Sequence, residues 1–279
     1  MKYVTLNNGI KMPILGFGVY QVNNNCEEVV LNALNNGYRL IDTASYYKNE
    51  KEVGNAIKKS KINRDEIFIT TKVWCDDISY EGVMTSFKES LERLKTDYID
   101  LYLIHWPVGD IFGAWRAMEE LYNQGKIKAI GVSNFLNDRL MDLIAFNKIK
   151  PTVNQIEVNV FYQRDKELIF NNEMGVVLEA WSPLARGRND VFNNEILVKI
   201  ANKYNKTSSQ VIIRWLIQRG IVVIAKTENE NRMKENIDVF DFKLSNEDIK
   251  EIEKLNLNES CFFDQTSVDF IKRLTNYKE

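Results

Sequence analysis

Residues 67–134 read IFITTKVWCDDISYEGVMTSFKESLERLKTDYIDLYLIHWPVGDIFGAWRAMEELYNQGKIKAIGVSN, and the order of patterns within them decides the fold. Three β-branched runs, IFITTKV (67–73), IDLYLIHWP (99–107) and IKAIGVSN (127–134), are separated by two stretches of helical period. Val83, Phe87, Leu91 and Leu94 mark the first stretch, and Trp115, Met118, Leu121 and Tyr122 the second. The unit repeats outward. ILGFG (14–18) and RLIDTA (39–44) precede it, and VNQIEVN (153–159), VVLEAWSP (176–183) and IVVIAKT (221–227) follow, with Val211, Ile212, Trp215 and Leu216 in a further helix. Eight strands alternating with helices predict an α/β fold, a closed (β/α)8 TIM barrel.

Before the first strand, YVTL-NNG-IKM reads as a β-hairpin turning at Asn7-Asn8-Gly9, placed to plug one end of the barrel. Two extra helical stretches, about 192–204 and 246–255, interrupt the repeat, and an irregular tail is expected from Leu257. No Pro-, Gly- or Ser-rich linker breaks the chain, so residues 1–279 are read as one barrel domain, a usual size for this fold. The competing doubly wound fold lacks its fingerprint. After the first strand the chain reads Gly16-Phe17-Gly18-Val19-Tyr20-Gln21, with Gln in place of the third glycine.

Composition narrows the function. With 44% apolar and 27% charged residues the chain can bury a large core. Its 37 Lys+Arg against 39 Asp+Glu give a net charge of -2, with no general basic surface for nucleic acid or anionic lipid. No apolar stretch approaches the ~20 residues of a membrane span. Cys26, Cys75 and Cys261 are too widely spaced for a disulfide framework or a metal pattern, so a reducing cytoplasm is the expected compartment. A single histidine, His105, removes metal sites that need two, and no metal is expected.

In such a barrel, sites form at the C-terminal ends of the strands. Asp42 ends RLID, Lys72 ends IFITTK and His105 ends LYLIH, while Tyr47 follows Asp42 by five residues. Singly each has a plain explanation: a capping carboxylate, a lysine stem over the rim, a core imidazole, a packing ring. Together on consecutive strands they form an acid/base set suited to giving a proton to a carbonyl oxygen. A phenol of ordinary pKa ~10 donates poorly unless its anion is stabilised, which the Lys72 ammonium can do. Asp42 can keep Lys72 protonated, and His105 can hydrogen-bond the carbonyl and fix its direction.

These residues resemble an aldo-keto reductase over essentially the whole chain. DTASYYKNE (42–50) is similar to the family signature D-T-A-x-x-Y-x-N-E, TTKVW carries Lys72 and LIHWP carries His105. The resemblance implies that Tyr47, not Tyr46, is the proton donor, with Asp42, Lys72 and His105 as its partners. It also implies NADPH as cofactor. Ser133 and Asn134 of GVSNF, with Gln155 of NQIEVN, match the positions that hold the nicotinamide carboxamide. Trp181, where many relatives carry Tyr, is implied to stack on the nicotinamide, and Ser182 and Leu184 to face the pyrophosphate. Arg186 follows in a loop that varies.

AKTENENRMKEN (225–236) matches the segment that reads an adenosine 2'-phosphate. Thr227 and Glu230 have capping-box spacing, which predicts a helix start able to bind an anion, with Lys226 and Arg232 adding charge. Glu235 and Asn236 correspond to adenine contacts, and Glu228 and Glu230 oppose the phosphate. Tyr20, Trp74 and Trp106 match an aromatic wall around the substrate, which Phe262 and Phe263 can close. The short VGDIFGA segment before Trp115 predicts an open, broadly accepting site.

The expectation is a cytoplasmic, monomeric NADPH-dependent reductase of small or aromatic aldehydes and dicarbonyls, with no nucleic-acid or membrane partner. The alternative is a barrel kept as a cofactor-binding regulatory or structural subunit.

Overall fold

The computed structural model describes residues 1–22 and 24–275. Strands β1 (Tyr3–Thr5) and β2 (Lys11–Pro13) form an antiparallel hairpin, and Gly9 supplies the positive φ of its turn at 87°. The chain then alternates through β3 (Leu15–Gly18), α1 (Cys26–Asn35), β4 (Leu40–Asp42), α2 (Glu50–Ser60), β5 (Phe68–Val73), α3 (Tyr80–Leu94) and β6 (Ile99–Ile104). It continues as α4 (Ile111–Asn123), β7 (Ile127–Ser133), α5 (Asn137–Phe146), β8 (Val153–Glu157), α6 (Asp165–Met174) and β9 (Val177–Trp181). Helices α7 (Glu195–Tyr204) and α8 (Ser208–Gln218) lead to β10 (Val222–Ala225), followed by α9 (Glu230–Ile237), α10 (Asn246–Glu253) and α11 (Val268–Leu274).

The eight strands β3 to β10 close into a parallel barrel in chain order, β10 pairing with β3 through Val223 and Leu15. Each strand is shorter than the run that predicted it, by one residue in β3, β5 and β7 and by more where the run ends in polar residues that enter the loops, as in β4 and β10. Inside, Leu40, Phe68, Leu101, Leu103, Val153 and Val222 form one cluster with Leu6 and Met12 of the hairpin, which therefore closes the N-terminal end of the barrel. Outside, the helices pack on the strands around fully buried Trp115 and Trp215. Residues between strands start their helices locally: Ser79 accepts from the Gly82 N–H, Asp110 from the Gly113 N–H, and Thr207 with Gln210 forms a capping box.

The extra helices are α7 and α10. Two local expectations change. The residue that caps α9 is Asn229, whose side chain accepts from the Arg232 N–H, while the Thr227 hydroxyl accepts one step earlier from the Asn229 N–H. An Asx cap two residues on satisfies the helix start better than Thr227, so the helix begins at Glu230. The tail after Leu257 is not wholly irregular: Ser267 caps α11, and Phe270 on it is buried. Among the described residues no helix is long and apolar enough to cross a membrane.

Candidate active site

The polarity of eight parallel strands puts their C-terminal ends at one rim, and there a cavity of about 480 Å³ opens. That volume is within the range of small-molecule sites. Asp42, Tyr47, His105, Ser133, Asn134, Gln155, Trp181, Ser182, Leu184, Lys226, Tyr20, Trp74 and Trp106 all line it. Lys72, fully buried, lies beneath. Gly18 lines the wall as well; a Cβ there would stand 2.8 Å from Ile224 Cγ2 and crowd that side chain.

Asp42 and Lys72 sit on β4 and β5, and Tyr47 ends a single 3-10 turn, Ser45–Tyr47. The loop is pinned by its own polar residues: Thr43 Oγ1 donates to Asn49 Oδ1 at 2.9 Å, and Asn49 Nδ2 to the Val19 carbonyl at 2.9 Å. Glu50, buried at the start of α2, accepts from Thr71 Oγ1 at 2.6 Å and from Arg93 Nε at 2.7 Å. The ring of Tyr47 is thereby held over the strand ends. Lys72 Nζ donates to Asp42 Oδ1 and Oδ2 at 2.7 and 2.8 Å, to the Thr43 carbonyl at 2.9 Å, and lies 3.4 Å from Tyr47 Oη.

Burial disfavours the ammonium, but the charge and hydrogen bonds of Asp42 together with the nearby Tyr47 and Glu179 outweigh it, and Lys72 is held above its ordinary pKa. The phenol departs from the sequence expectation. Burial pushes Tyr47 up, and although Lys72 pulls it down, the net value is about 12. Tyr47 therefore keeps its proton at any physiological pH. An alkoxide is the stronger base, so donation to one still runs downhill. His105 is held well below 6.5 by burial and by the charge of Lys72, which makes it a neutral imidazole. Its buried Nδ1 has no hydrogen-bond partner among the described residues.

On the opposite wall Ser133 Oγ donates to the Gln155 carbonyl at 2.8 Å, and Asn134 Nδ2 donates to the His105 carbonyl at 3.0 Å. Asn134 Oδ1 accepts from Trp181 Nε1 at 2.8 Å. Asn134 thus orients the indole, a contact that a tyrosine at this position could not make in the same way because it lacks the ring N–H. Trp181 is half-buried and turns toward the cavity, with Phe262 beside it at 5.6 Å between centroids. Phe263 lines the cavity and Phe262 does not.

Thr227, in the loop between β10 and α9, and Arg232, Glu235 and Asn236 on α9 are not among the residues that line this cavity. Lys226 pairs with Glu228 at 2.6 Å and Lys234 with Glu230 at 2.8 Å, while Arg232 makes no ion pair among the described residues. The two glutamates that the sequence set against a phosphate are thus occupied by lysines. Arg186 lines the cavity mouth, its guanidinium over the Tyr20 and Phe262 rings at 5.1 and 4.8 Å.

Several lining residues were not singled out from sequence: Tyr46, which stacks on Trp74 at 3.8 Å, Gln21, Pro183, Ile224, Phe270 and Leu274. The last two had a signal, the i, i+4 spacing of Phe270 and Leu274 after a Ser267 cap. Among the described residues no three His, Cys, Asp or Glu side chains converge to hold a metal ion.

Comparison with known proteins matches this geometry to a family. The family model described as "Aldo/keto reductase family" covers residues 15–257. Glyoxal reductase of Bacillus subtilis (strain 168) is 49% identical over 259 residues, 92% of this chain and 93% of that protein. The crystal structure of MGS-M4, an aldo-keto reductase enzyme from a Medee basin deep-sea metagenome library, superposes with a TM-score of 0.93 at 47% identity, covering 95% of this chain and 99% of that one. A Bombyx mori aldo-keto reductase in complex with NADP gives a TM-score of 0.90 at 33% identity, covering 95% of each chain.

Proposed function

The chain belongs to the aldo/keto reductase family and is an NADP-dependent oxidoreductase that reduces carbonyl compounds; from that premise we propose that Tyr47 is its proton donor and that small α-dicarbonyls and reactive aldehydes are its substrates. One observation carries the assignment: a fully buried lysine held by Asp42 reaches the hydroxyl of Tyr47 at the floor of a cavity that neutral His105 also faces.

The side chains present fit a nicotinamide nucleotide. Trp181 offers a flat face held by Asn134, and Gly18 and Gln155 line the same cavity. Ser133, Asn134, Gln155, Trp181, Ser182 and Leu184 would hold its nicotinamide and pyrophosphate side. Lys226, Thr227, Arg232, Glu235 and Asn236 would hold its adenosine phosphate side. NADPH, when bound, supplies the hydride. His105 remains uncharged and donates an N–H to the carbonyl oxygen, fixing its direction toward Tyr47. Tyr47 gives its proton to that oxygen, and the Lys72 ammonium stabilises the phenolate left behind, while Asp42 keeps Lys72 charged.

Tyr20, Trp74, Trp106, Phe263, Phe270 and Leu274 make the substrate wall apolar and aromatic, which favours compact carbonyls chosen by reactivity and fit. The glyoxal-reducing relative supports the dicarbonyl reading. Action as a monomer remains part of this proposal, and three free cysteines suit a reducing cytoplasm.

The test is turnover of NADPH with glyoxal, methylglyoxal, electron-poor aromatic aldehydes and phosphorylated or acidic sugars. The first three groups are expected to react. Turnover of a single phosphorylated or acidic sugar alone would contradict the substrate reading.

A further inference from the structure

Beneath the cavity the barrel holds a second carboxylate that the mechanism above does not use. Glu179 on β9 is fully buried and stands directly opposite Gln155 of β8 in the strand register. Gln155 Nε2 donates to Glu179 Oε2 at 2.9 Å and to Asp42 Oδ2 at 2.8 Å. The amide therefore forms a crossbar through the barrel, from β9 to β4, and both of its N–H groups are spent on carboxyl oxygens. Its one remaining polar atom, Oε1, is left for the cavity that Gln155 lines.

A carboxyl at this inward position carries a desolvation cost that Val222, its partner in register on β10, and Val177, two residues earlier on β9, avoid. We propose that Glu179 is a positioning residue for the nicotinamide: with Asp42 it holds the Gln155 amide nitrogen inward, so that the cavity is offered an acceptor, suited to a carboxamide N–H. The inference rests on the NADPH reading above and adds a residue to it.

The electrostatics agree. Burial and the charge of Asp42 raise Glu179 above the ordinary carboxylate range, against the opposing pull of Lys72. Its Oε1 has no donor among the described residues. That rise favours the neutral carboxyl, which accepts from Gln155 without adding a second anion beside Asp42 and competing for Lys72. Removing the acceptor leaves Gln155 tied only to Asp42 and free to turn its other N–H toward the cavity.

The experiment measures dissociation constants, by quenching of protein fluorescence, for NADP, for its acetylpyridine analogue, in which a methyl group replaces the carboxamide NH2, and for an adenosine bisphosphate fragment that lacks the nicotinamide. Wild type is expected to prefer NADP over the analogue by about tenfold, the equivalent of one hydrogen bond. Glu179→Met, close in volume but without an acceptor, is expected to lose most of that preference and to bind the fragment as wild type does. Glu179→Gln, which keeps an acceptor oxygen, is expected to restore it. If the Met variant does not fold, Glu179→Ala takes its place, and the wild-type arm stands in either case. Equal affinity of wild type for NADP and the analogue overturns the inference, as does a Met or Ala variant that still discriminates. Failure of wild type to bind NADP at all would instead overturn the NADPH reading.

Discussion

Replacing Lys72 with Met separates the two tasks given to the buried ammonium. Lys72 is fully buried, and its ion pair with Asp42 at 2.7 Å has side-chain exposures of 0% and 5%. The pair is thus almost wholly cut off from water, and Met leaves Asp42 with one donor, Gln155 Nε2. Breaking a buried pair by removing one partner costs about 3–5 kcal/mol, because the other charge is left uncompensated. At ~2 °C per kcal/mol for a chain of this size, the melting temperature should fall by ~6–10 °C. Activity should fall further than stability explains, since the phenolate of Tyr47 loses its counter-charge, and ~10²–10⁴-fold in kcat is the expected scale for a disabled acid. Adding Asp42→Asn to Lys72→Met removes the orphaned charge. The double variant should recover most of the melting temperature and none of the turnover. The assay is thermal unfolding followed by initial rates with a dicarbonyl at saturating NADPH. Recovery of neither property would show that the loss is one of packing, and a Lys72→Met enzyme with near-normal kcat would remove the lysine from the proton step.

Tyr47→Phe should cut kcat by ~10²–10⁴-fold with little change in NADPH affinity or melting temperature, because its hydroxyl makes only a long 3.4 Å contact with Lys72; stopped-flow rates and cofactor titration check both. Reduction needs Tyr47 protonated and His105 neutral. With the phenol at about 12 and the imidazole held well below 6.5, the rate should be flat from about pH 6 to about pH 10, whereas alcohol oxidation, which needs the phenolate, should climb across that range. An acid limb with a midpoint near 6.5 would mean that His105 titrates as an ordinary imidazole. Arg232→Ala should weaken NADPH about tenfold and spare NADH, with the difference shrinking in added salt, since Arg232 carries no competing ion pair among the described residues; equal losses for both cofactors would show that the arginine serves the fold.

The alternation of β-branched runs with helical periods determines the barrel without help from contacts, because both patterns are local and a chain that repeats them eight times has few ways to bury its strands. It also determines which residues share a site. All strands of a parallel barrel point the same way, so Asp42, Lys72 and His105, each ending a run, must meet at one rim.

What those residues do to one another was decided only in three dimensions. Tyr47 rises to about 12 because burial outweighs the nearby ammonium, and burial is a property of the packed loop. Trp181 is steered by Asn134, 47 positions earlier in the chain, and the tail brings Phe270 and Leu274 to the cavity from beyond the last barrel strand. Glu179 passes in the sequence for one polar residue in the run VVLEAWSP. Only the closed barrel sets it opposite Gln155 and, through that amide, against Asp42, which lies 113 positions from Gln155. Periodicity is carried by neighbours in sequence, whereas desolvation and hydrogen-bond partnership are carried by neighbours in space, and for these side chains the two sets do not overlap.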